Sequence, residues 1–252
     1  MTLMEQKTTQ LSLAAWMLKR LDPERRWRDF RMAGRRLIRR LGPSPDFFLS
    51  KVAGVIHVGA HLAEERDLYE DKRLNVVWLE PNPDLFSRIE VHIKGHARQR
   101  AFCQLLTDVD DKEFPFHITS NDGVSSSVFE LGAHQKIWPN VTAGRTVKMR
   151  SITLKTLAER EKLDLRLYDG LVLDVQGAEL LVLKGATALL GNFKFIKAEA
   201  ADFELYKGCC RLSDLDEFLA AHHFRRVVTS AFRKEWGIGS CYDVVYASGN
   251  GR

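Results

Sequence analysis

Short apolar runs recur along most of this chain, each ending in a turn and most followed by a segment with helical spacing. Val52 to Val58 stops at Gly59, and Asn75 to Leu79 (NVVWL) stops at Glu80-Pro81-Asn82-Pro83. Ala101 to Leu106, Leu171 to Val175 (LVLDV) and Phe193 to Ala198 complete the series. Residues 64–72, 84–93, 178–190 and 213–221 carry the helical spacing. A strand that is apolar at every position is buried on both faces, which a sheet achieves when helices cover it. The pattern therefore predicts an α/β fold with a mostly parallel sheet. Phe224 to Thr229 and Tyr242 to Ala247 are joined by a short non-helical stretch and are expected to pair antiparallel.

Residues 108–157 interrupt this alternation. Glu113 to Thr119 (EFPFHIT) and Thr146 to Leu154 alternate as hairpin strands do. Between them lies the polar stretch Ser120-Asn121-Asp122-Gly123-Val124-Ser125-Ser126-Ser127. An insertion of this kind belongs near the carboxyl ends of the parallel strands, where open α/β sheets bind ligands.

Charge divides the chain of 252 residues. Residues 1–45 hold 11 Lys/Arg against 4 Asp/Glu, whereas the remainder holds 27 against 29. Leu11, Ala14, Ala15, Leu18 and Leu21 follow helical spacing, as do Trp27, Phe30, Gly34, Leu37 and Leu41, and Asp22-Pro23-Glu24 fits a cap between two helices. Gly42-Pro43-Ser44-Pro45 breaks the pattern, giving a basic helical arm over 1–45 and a main domain over 46–252. The arm is expected to pack on the domain or a second copy of the chain, or to touch an anionic membrane surface peripherally. Nucleic acid is disfavoured as a partner, because Trp27 and Phe30 fall on the apolar face and not among the arginines. At 45% hydrophobic the chain can build a core. It has no apolar run approaching ~18 residues and no secretory signal pattern. Its four cysteines lack CxxC spacing. A cytoplasmic location and no metal are the expectations.

The chemistry concentrates at strand ends. Gly59 is the one glycine of its turn, so the phosphate-cradling G-x-G-x-x-G pattern is missing and a dehydrogenase is disfavoured. Glu80 stands 21 residues later at the end of the second run, where a carboxylate can accept from both hydroxyls of a ribose. Together they suggest an adenosine-type cofactor without a pyrophosphate, most simply S-adenosylmethionine. Asp174 ends a buried run and points a carboxylate at the cleft. Glu179 falls in the first turn of the following helix, where its charge suits the helix dipole.

From about residue 52 to 248 the chain resembles the FkbM family of S-adenosylmethionine-dependent methyltransferases. The resemblance is carried by HVGAHLAEE (57–65), LEPNP (79–83), SNDGVSSS (120–127), LDVQGAELLVLKGA (173–186), KAEAADFELYKG (197–208) and YDVVY (242–246). Many members have Asp at His57, Asn at His61 and Gly at Ala63. The resemblance implies a Rossmann-like seven-stranded, mostly parallel sheet of the class I methyltransferase type. It assigns Gly59, Ala60 and His61 to the cofactor turn, Glu80 to the ribose, Asp108 to the adenine region and Asp174 to the methionine end. It also implies methyl transfer to a hydroxyl on a sugar, glycan or secondary metabolite.

Methyl transfer to oxygen needs in-line alignment and a group to take the hydroxyl proton. His134, just past the polar loop, is the first choice for that base, and Asn121, Ser125 and Ser126 are candidates to bind acceptor hydroxyls. His57 is expected to pack under the cofactor, and Cys209-Cys210 to line the substrate mouth or pack as small hydrophobes. Two rival readings stand beside this one: a nucleic-acid methyltransferase gripping phosphates with the basic arm, and a non-catalytic cofactor-binding module docked to a membrane or partner.

Overall fold

Residues 44–249 are described by a computed structural model, so the two helices read within residues 1–41 lie outside the described residues. In chain order the strands are β1 (Gly54–Val58), β2 (Asn75–Leu79), β3 (Gln99–Phe102), β4 (Leu105–Leu106), β5 (Glu113–Thr119), β6 (Ala143–Ile152), β7 (Gly170–Leu173), β8 (Phe195–Ala201), β9 (Phe224–Glu235) and β10 (Gly239–Ser248). The helices are α1 (Arg66–Asp71), α2 (Pro83–His92), α3 (His134–Ile137), α4 (Leu154–Arg160), α5 (Glu179–Gly185) and α6 (Leu212–Ala221). Seven strands form the central sheet in the order β3-β2-β1-β7-β8-β10-β9. The first five of these neighbours run parallel, and β10 is antiparallel to both β8 and β9. This is the mostly parallel seven-stranded sheet expected.

The apolar runs bury as their composition demands. All of β1 and β7 is buried, and successive residues feed opposite faces. Ile56, Val58, Leu171 and Leu173 enter one core layer with Leu154, Leu157, Val182 and Leu183 from α4 and α5. Val55, Val76, Trp78 and Val172 enter the other with Phe48, Tyr69 and Ile89. Each such side chain taken from water contributes roughly 1.5–3 kcal/mol. His57 belongs to this second layer: Nδ1 meets the Tyr69 hydroxyl at 3.1 Å, and the ring lies 5.0 Å from Trp78. Burial pushes its pKa down.

Three expectations about element limits are corrected. The apolar stretch 101–106 is not one strand. The main sheet keeps it only to Phe102, and Leu105–Leu106 turns away to pair with β6 in a three-stranded sheet of order β4-β6-β5. The break falls at Cys103-Gln104, where the single polar residue of the stretch sits between the two strands. The helix expected over 178–190 stops at Gly185 and continues as a 3-10 turn, Thr187–Asn192. A Cβ at Gly185 would sit 2.1 Å from the Thr107 carbonyl, so the helix end is pressed against the β4 exit. The last two strands do pair antiparallel, but they run longer than their apolar stretches because polar residues alternate along β9. Among the described residues no helix is long and apolar enough to cross a membrane.

Candidate active site

Parallel pairing brings the carboxyl ends of β3, β2, β1 and β7 to one edge, and backbone bonds tie those ends together. Gly59 and Ala60 donate to the Leu79 carbonyl at 2.9 and 3.0 Å, Asp174 donates to Val58 at 3.0 Å, and Glu80 donates to Phe102 at 3.2 Å. Gly59 has φ +85°, and a Cβ on it would stand 2.0 Å from the Asp174 carbonyl oxygen. Glycine is required there by the approach of the Asp174 turn as well as by the left-handed backbone.

Glu80 is 5% exposed. Its Oε2 accepts from the His61 amide at 2.9 Å and its Oε1 from the Asn82 amide at 2.9 Å. The carboxylate therefore joins the turn after β1 to the turn after β2, with a further lone pair on each oxygen. Burial raises its pKa to about 7 against the opposing pull of those two N–H groups. Asn82 in turn caps α2, its Oδ1 accepting from Asp84 N–H at 3.1 Å.

His61 fastens the polar loop to this turn. Nδ1 faces Glu64 Oε1 at 2.7 Å and Nε2 faces the Asp122 carbonyl at 3.2 Å. Both neighbours are acceptors, so the ring satisfies both contacts when it carries two protons. Burial disfavours that charge, but the Glu64 hydrogen bond and charge outweigh it and raise the His61 pKa. Glu64 shifts down through the same pairing, again against burial. His61 and Ala63 have φ of +48° and +54°, a left-handed backbone that Asn and Gly adopt more readily. Gly123 completes the loop's seat. A Cβ there would meet Leu85 Cδ1 at 3.3 Å, Ser126 Oγ at 3.4 Å and Asn82 Nδ2 at 3.5 Å.

A second network runs from Asp174 into the loop. Gln176 Nε2 donates to Asp174 Oδ1 at 2.6 Å, and the Tyr206 hydroxyl approaches Gln176 Oε1 at 2.8 Å and the Ser125 carbonyl at 3.3 Å. Ser125 Oγ accepts from Asn121 Nδ2 at 3.0 Å and lies 3.1 Å from His134 Nε2. Ser126 Oγ accepts from the Thr119 amide at 3.2 Å. Tyr206 is fully buried, and burial raises its pKa well above the usual value. His134 is 3% exposed, between Trp138 (4.6 Å) and Tyr206 (5.3 Å), and its Nδ1 has no partner. Burial lowers its pKa to about 4, so the imidazole is neutral at physiological pH.

The structure thus gathers Gly59, Ala60, His61, Glu80 and Asp174 at one edge and links Asn121, Ser125 and His134 to it through Tyr206 and Gln176. Asp108 is not brought there. It is exposed, and its backbone packs against Gly185, at the far end of α5 from the Asp174 turn. The residue that follows β3 at the site edge is Cys103, whose Sγ lies 3.6 Å from the Pro81 carbonyl. Sequence reading missed Tyr206 and Gln176. Their signal was present as polar residues inside the two quoted motifs, but nothing in either motif says that they meet.

Glu179 is also more than a dipole partner. It is 2% exposed, its Oε1 accepts from the Val175 and Gly177 amides at 3.1 and 3.3 Å, and burial raises its pKa to about 8. A pocket of about 30 Å³ opens beside it, lined also by Gln176, Glu199, Cys209, Cys210 and Phe232. Both cysteine thiols are pushed up by burial. Among the described residues no cluster of three His, Cys, Asp or Glu side chains could hold a metal ion.

The donor set states what ligand suits this edge. The turns 59–64, 80–83 and 174–179 carry Glu64, Glu80, Asp174 and Glu179 but no Lys or Arg, and the turn amides of Gly59, Ala60 and His61 are already bonded within the protein. That chemistry suits a diol and a cation and is unsuited to a polyphosphate. A sulfonium nucleoside bearing an amino group and a ribose fits it.

Comparison with known proteins agrees in family. Residues 57–226 match the family model described as Methyltransferase FkbM domain. No curated protein sequence matches the chain. Solved structures with some likeness include magnesium protoporphyrin IX methyltransferase from Synechocystis PCC 6803 with bound SAM, at 10% identity and TM-score 0.47, covering 89% of this chain and 84% of that one. The 1,6-didemethyltoxoflavin-N1-methyltransferase of Burkholderia thailandensis, with bound 1,6-didemethyltoxoflavin and S-adenosylhomocysteine, shows 11% identity and TM-score 0.44 over 96% and 90% of the two chains. The StiE O-MT fragment shows 11% identity and TM-score 0.48 over 91% and 79%.

Proposed function

The chain belongs to the FkbM family of S-adenosylmethionine-dependent methyltransferases, and from that premise we propose that it methylates a hydroxyl on a sugar, glycan or secondary metabolite. The observation that carries this reading is the pair of carboxylates, Glu80 and Asp174, on the strand ends that flank the Gly59 turn, with a hydroxyl-rich loop fastened over them. In this reading Gly59, Ala60 and His61 form the wall of the cofactor site. Glu80 accepts from the ribose hydroxyls with the lone pairs its two amide bonds leave open, and Asp174 faces the methionine end. The cofactor, when bound, supplies an activated methyl group, so the protein's task is alignment and removal of one proton.

In this reading Asn121 and Ser126, both partly exposed, bind acceptor hydroxyls. Ser125 and His134 are held inward by each other, and His134 is assigned to positioning the loop. The cytoplasm is the compartment this reading assigns. The positive charge of residues 1–45 is available to an anionic membrane surface or to a second copy of the chain.

Incubation with methyl-tritiated S-adenosylmethionine and pooled glycan and metabolite fractions tests the proposal. Label that survives mild base and is then released as methyl iodide by hydriodic acid, as methyl ethers release it, supports it. Label confined to esters or amines refutes methyl ether formation, and no label in any pool refutes the reading.

A further inference from the structure

We propose that Glu179 takes the proton from the acceptor in the pocket beside the Asp174 turn. This assignment rests on the methyl-transfer reading above. The Glu179 carboxyl is held by three backbone amides of its own turn, those of Val175 and Gly177 on Oε1 and that of Glu179 itself. Oε2 has a different environment: its neighbour is the Cys210 thiol at 3.9 Å, a weak donor at long range, and the side chain lines the pocket. Oε1 thus anchors the group on Val175 and Gly177, while Oε2 faces no side chain but a thiol and is the oxygen assigned to exchange a proton.

The surroundings favour that use. Asp174 faces Glu179 from the same turn, Tyr206, Cys209 and Cys210 face it from the segment after β8, and Glu199 lines the pocket from β8 itself. None of these is a cation, and no Lys, Arg or His lines the pocket. Burial among such groups keeps the Glu179 carboxyl protonated at rest, with its pKa at about 8. A positive charge brought to the Asp174 turn reverses the balance and releases the proton, leaving a carboxylate poised for the acceptor. In the transfer itself the acceptor oxygen bonds to the methyl carbon as the carbon–sulfur bond breaks. That electron pair stays on sulfur, and the hydroxyl proton passes to Glu179 Oε2. The pocket's character also selects the acceptor: a neutral or cationic hydroxyl-bearing group enters it, and a phosphate or carboxylate does not.

Calorimetric titration of the full chain at pH 7, in two buffers of different ionisation enthalpy, tests this without any acceptor. S-Adenosylmethionine, which carries the sulfonium charge, should expel most of a proton from the wild-type protein. S-Adenosylhomocysteine, which lacks that charge, should expel little, and Glu179→Gln should abolish the difference. The Gln oxygen still accepts from Val175 and Gly177, so a normal thermal melt is expected. Should the variant fail to fold, infrared spectra of the wild-type protein with S-adenosylmethionine minus those with S-adenosylhomocysteine, which share the ribose that Glu80 meets, give the same readout as loss of a protonated carboxyl band. Equal proton release by wild type and variant, or an unchanged carboxyl band, overturns the assignment while leaving the methyltransferase reading in place. Failure of both ligands to bind overturns the reading and the assignment with it. With any fraction that the wild type labels, Glu179→Gln should slow transfer ~10²–10⁴-fold at saturating cofactor, and by linkage it should weaken S-adenosylmethionine roughly tenfold while leaving S-adenosylhomocysteine affinity unchanged. A rate within twofold of wild type also overturns it.

Discussion

Replacing Glu80 with Gln tests a structural role and a binding role in one variant. In the fold, Oε1 and Oε2 each accept from a backbone amide, of Asn82 and His61 respectively, at 2.9 Å. Gln retains one acceptor oxygen and turns a donor toward the other amide, leaving a buried N–H opposed, at about 1–3 kcal/mol. A pH-dependent effect runs against this loss. The folded pKa of Glu80, about 7, lies above its ordinary 4.5. Its contribution to stability is therefore present below pH ~4.5 and lost as the pH rises through about 7. The deficit of Glu80→Gln should accordingly be largest near pH 5 and shrink by pH 8.5, which thermal melts at the two pH values will show. For binding, hydrogen bonds from the ribose to a charged acceptor contribute ~1.5–3 kcal/mol, or roughly 10- to 150-fold in Kd. Calorimetric titration with S-adenosylhomocysteine measures this directly. A folded variant with unchanged affinity would place the ribose elsewhere and remove the role assigned to Glu80.

Three further outcomes follow from the site's geometry. The raised pKa of His61 means that its clamp on Asp122 holds below pH ~6.5 and weakens as pH rises through the folded value, so residues 121–126 should exchange amide hydrogen faster at high pH, after correction for intrinsic rates. His61→Asn, which suits the left-handed backbone but lacks the charge, should remove that pH dependence. Tyr206→Phe keeps the ring but leaves Gln176 Oε1 without its buried donor, at about 1–3 kcal/mol in chemical denaturation; a loss below 0.5 kcal/mol would mean that the network carries little stability. Gly59→Ala should give insoluble or grossly destabilised protein, since its Cβ would overlap the Asp174 carbonyl at 2.0 Å, and a normal melt would contradict the close approach of the two turns.

What the sequence made legible was whatever depends on spacing along one element. Strand ends, the Gly59 turn, Glu80 and Asp174 are local features, because a buried strand announces its end by the first polar or glycine residue. Asp108 lies away from the edge because Ala101 to Leu106, which reads as one strand in the sequence, is two strands in different sheets separated at Cys103-Gln104, so the residue after the main-sheet strand is Cys103. His134 illustrates the other limit. Its sequence neighbourhood is polar, yet Trp138 and Tyr206 close over it, and Tyr206 lies 72 positions away in the chain. Glu179 read as a helix-start charge because burial, which turns it from a surface anion into a protonated acid, is a property of the packed fold. Gln176 and Tyr206 were in view as residues, but their meeting was not.

The pairing of β1 with both β2 and β7 has a consequence for the order in which the chain acquires its shape. Val55 pairs with Val76 on one side and with Gly170 on the other. The first contact closes a short segment, and the second must wait for more than a hundred residues. Loop-closure entropy grows only slowly with that separation, but contacts of long range still slow the approach to the native state. A chain emerging from the ribosome can therefore form the Glu80 side of the edge well before Asp174 exists. Ligand recognition requires both sides. Nascent chains arrested near residue 160 should retain the early β1–β2 pairing and yet have no grip on the nucleoside, so the cofactor can act as a late-stage trap for completed molecules and not as a template for early ones.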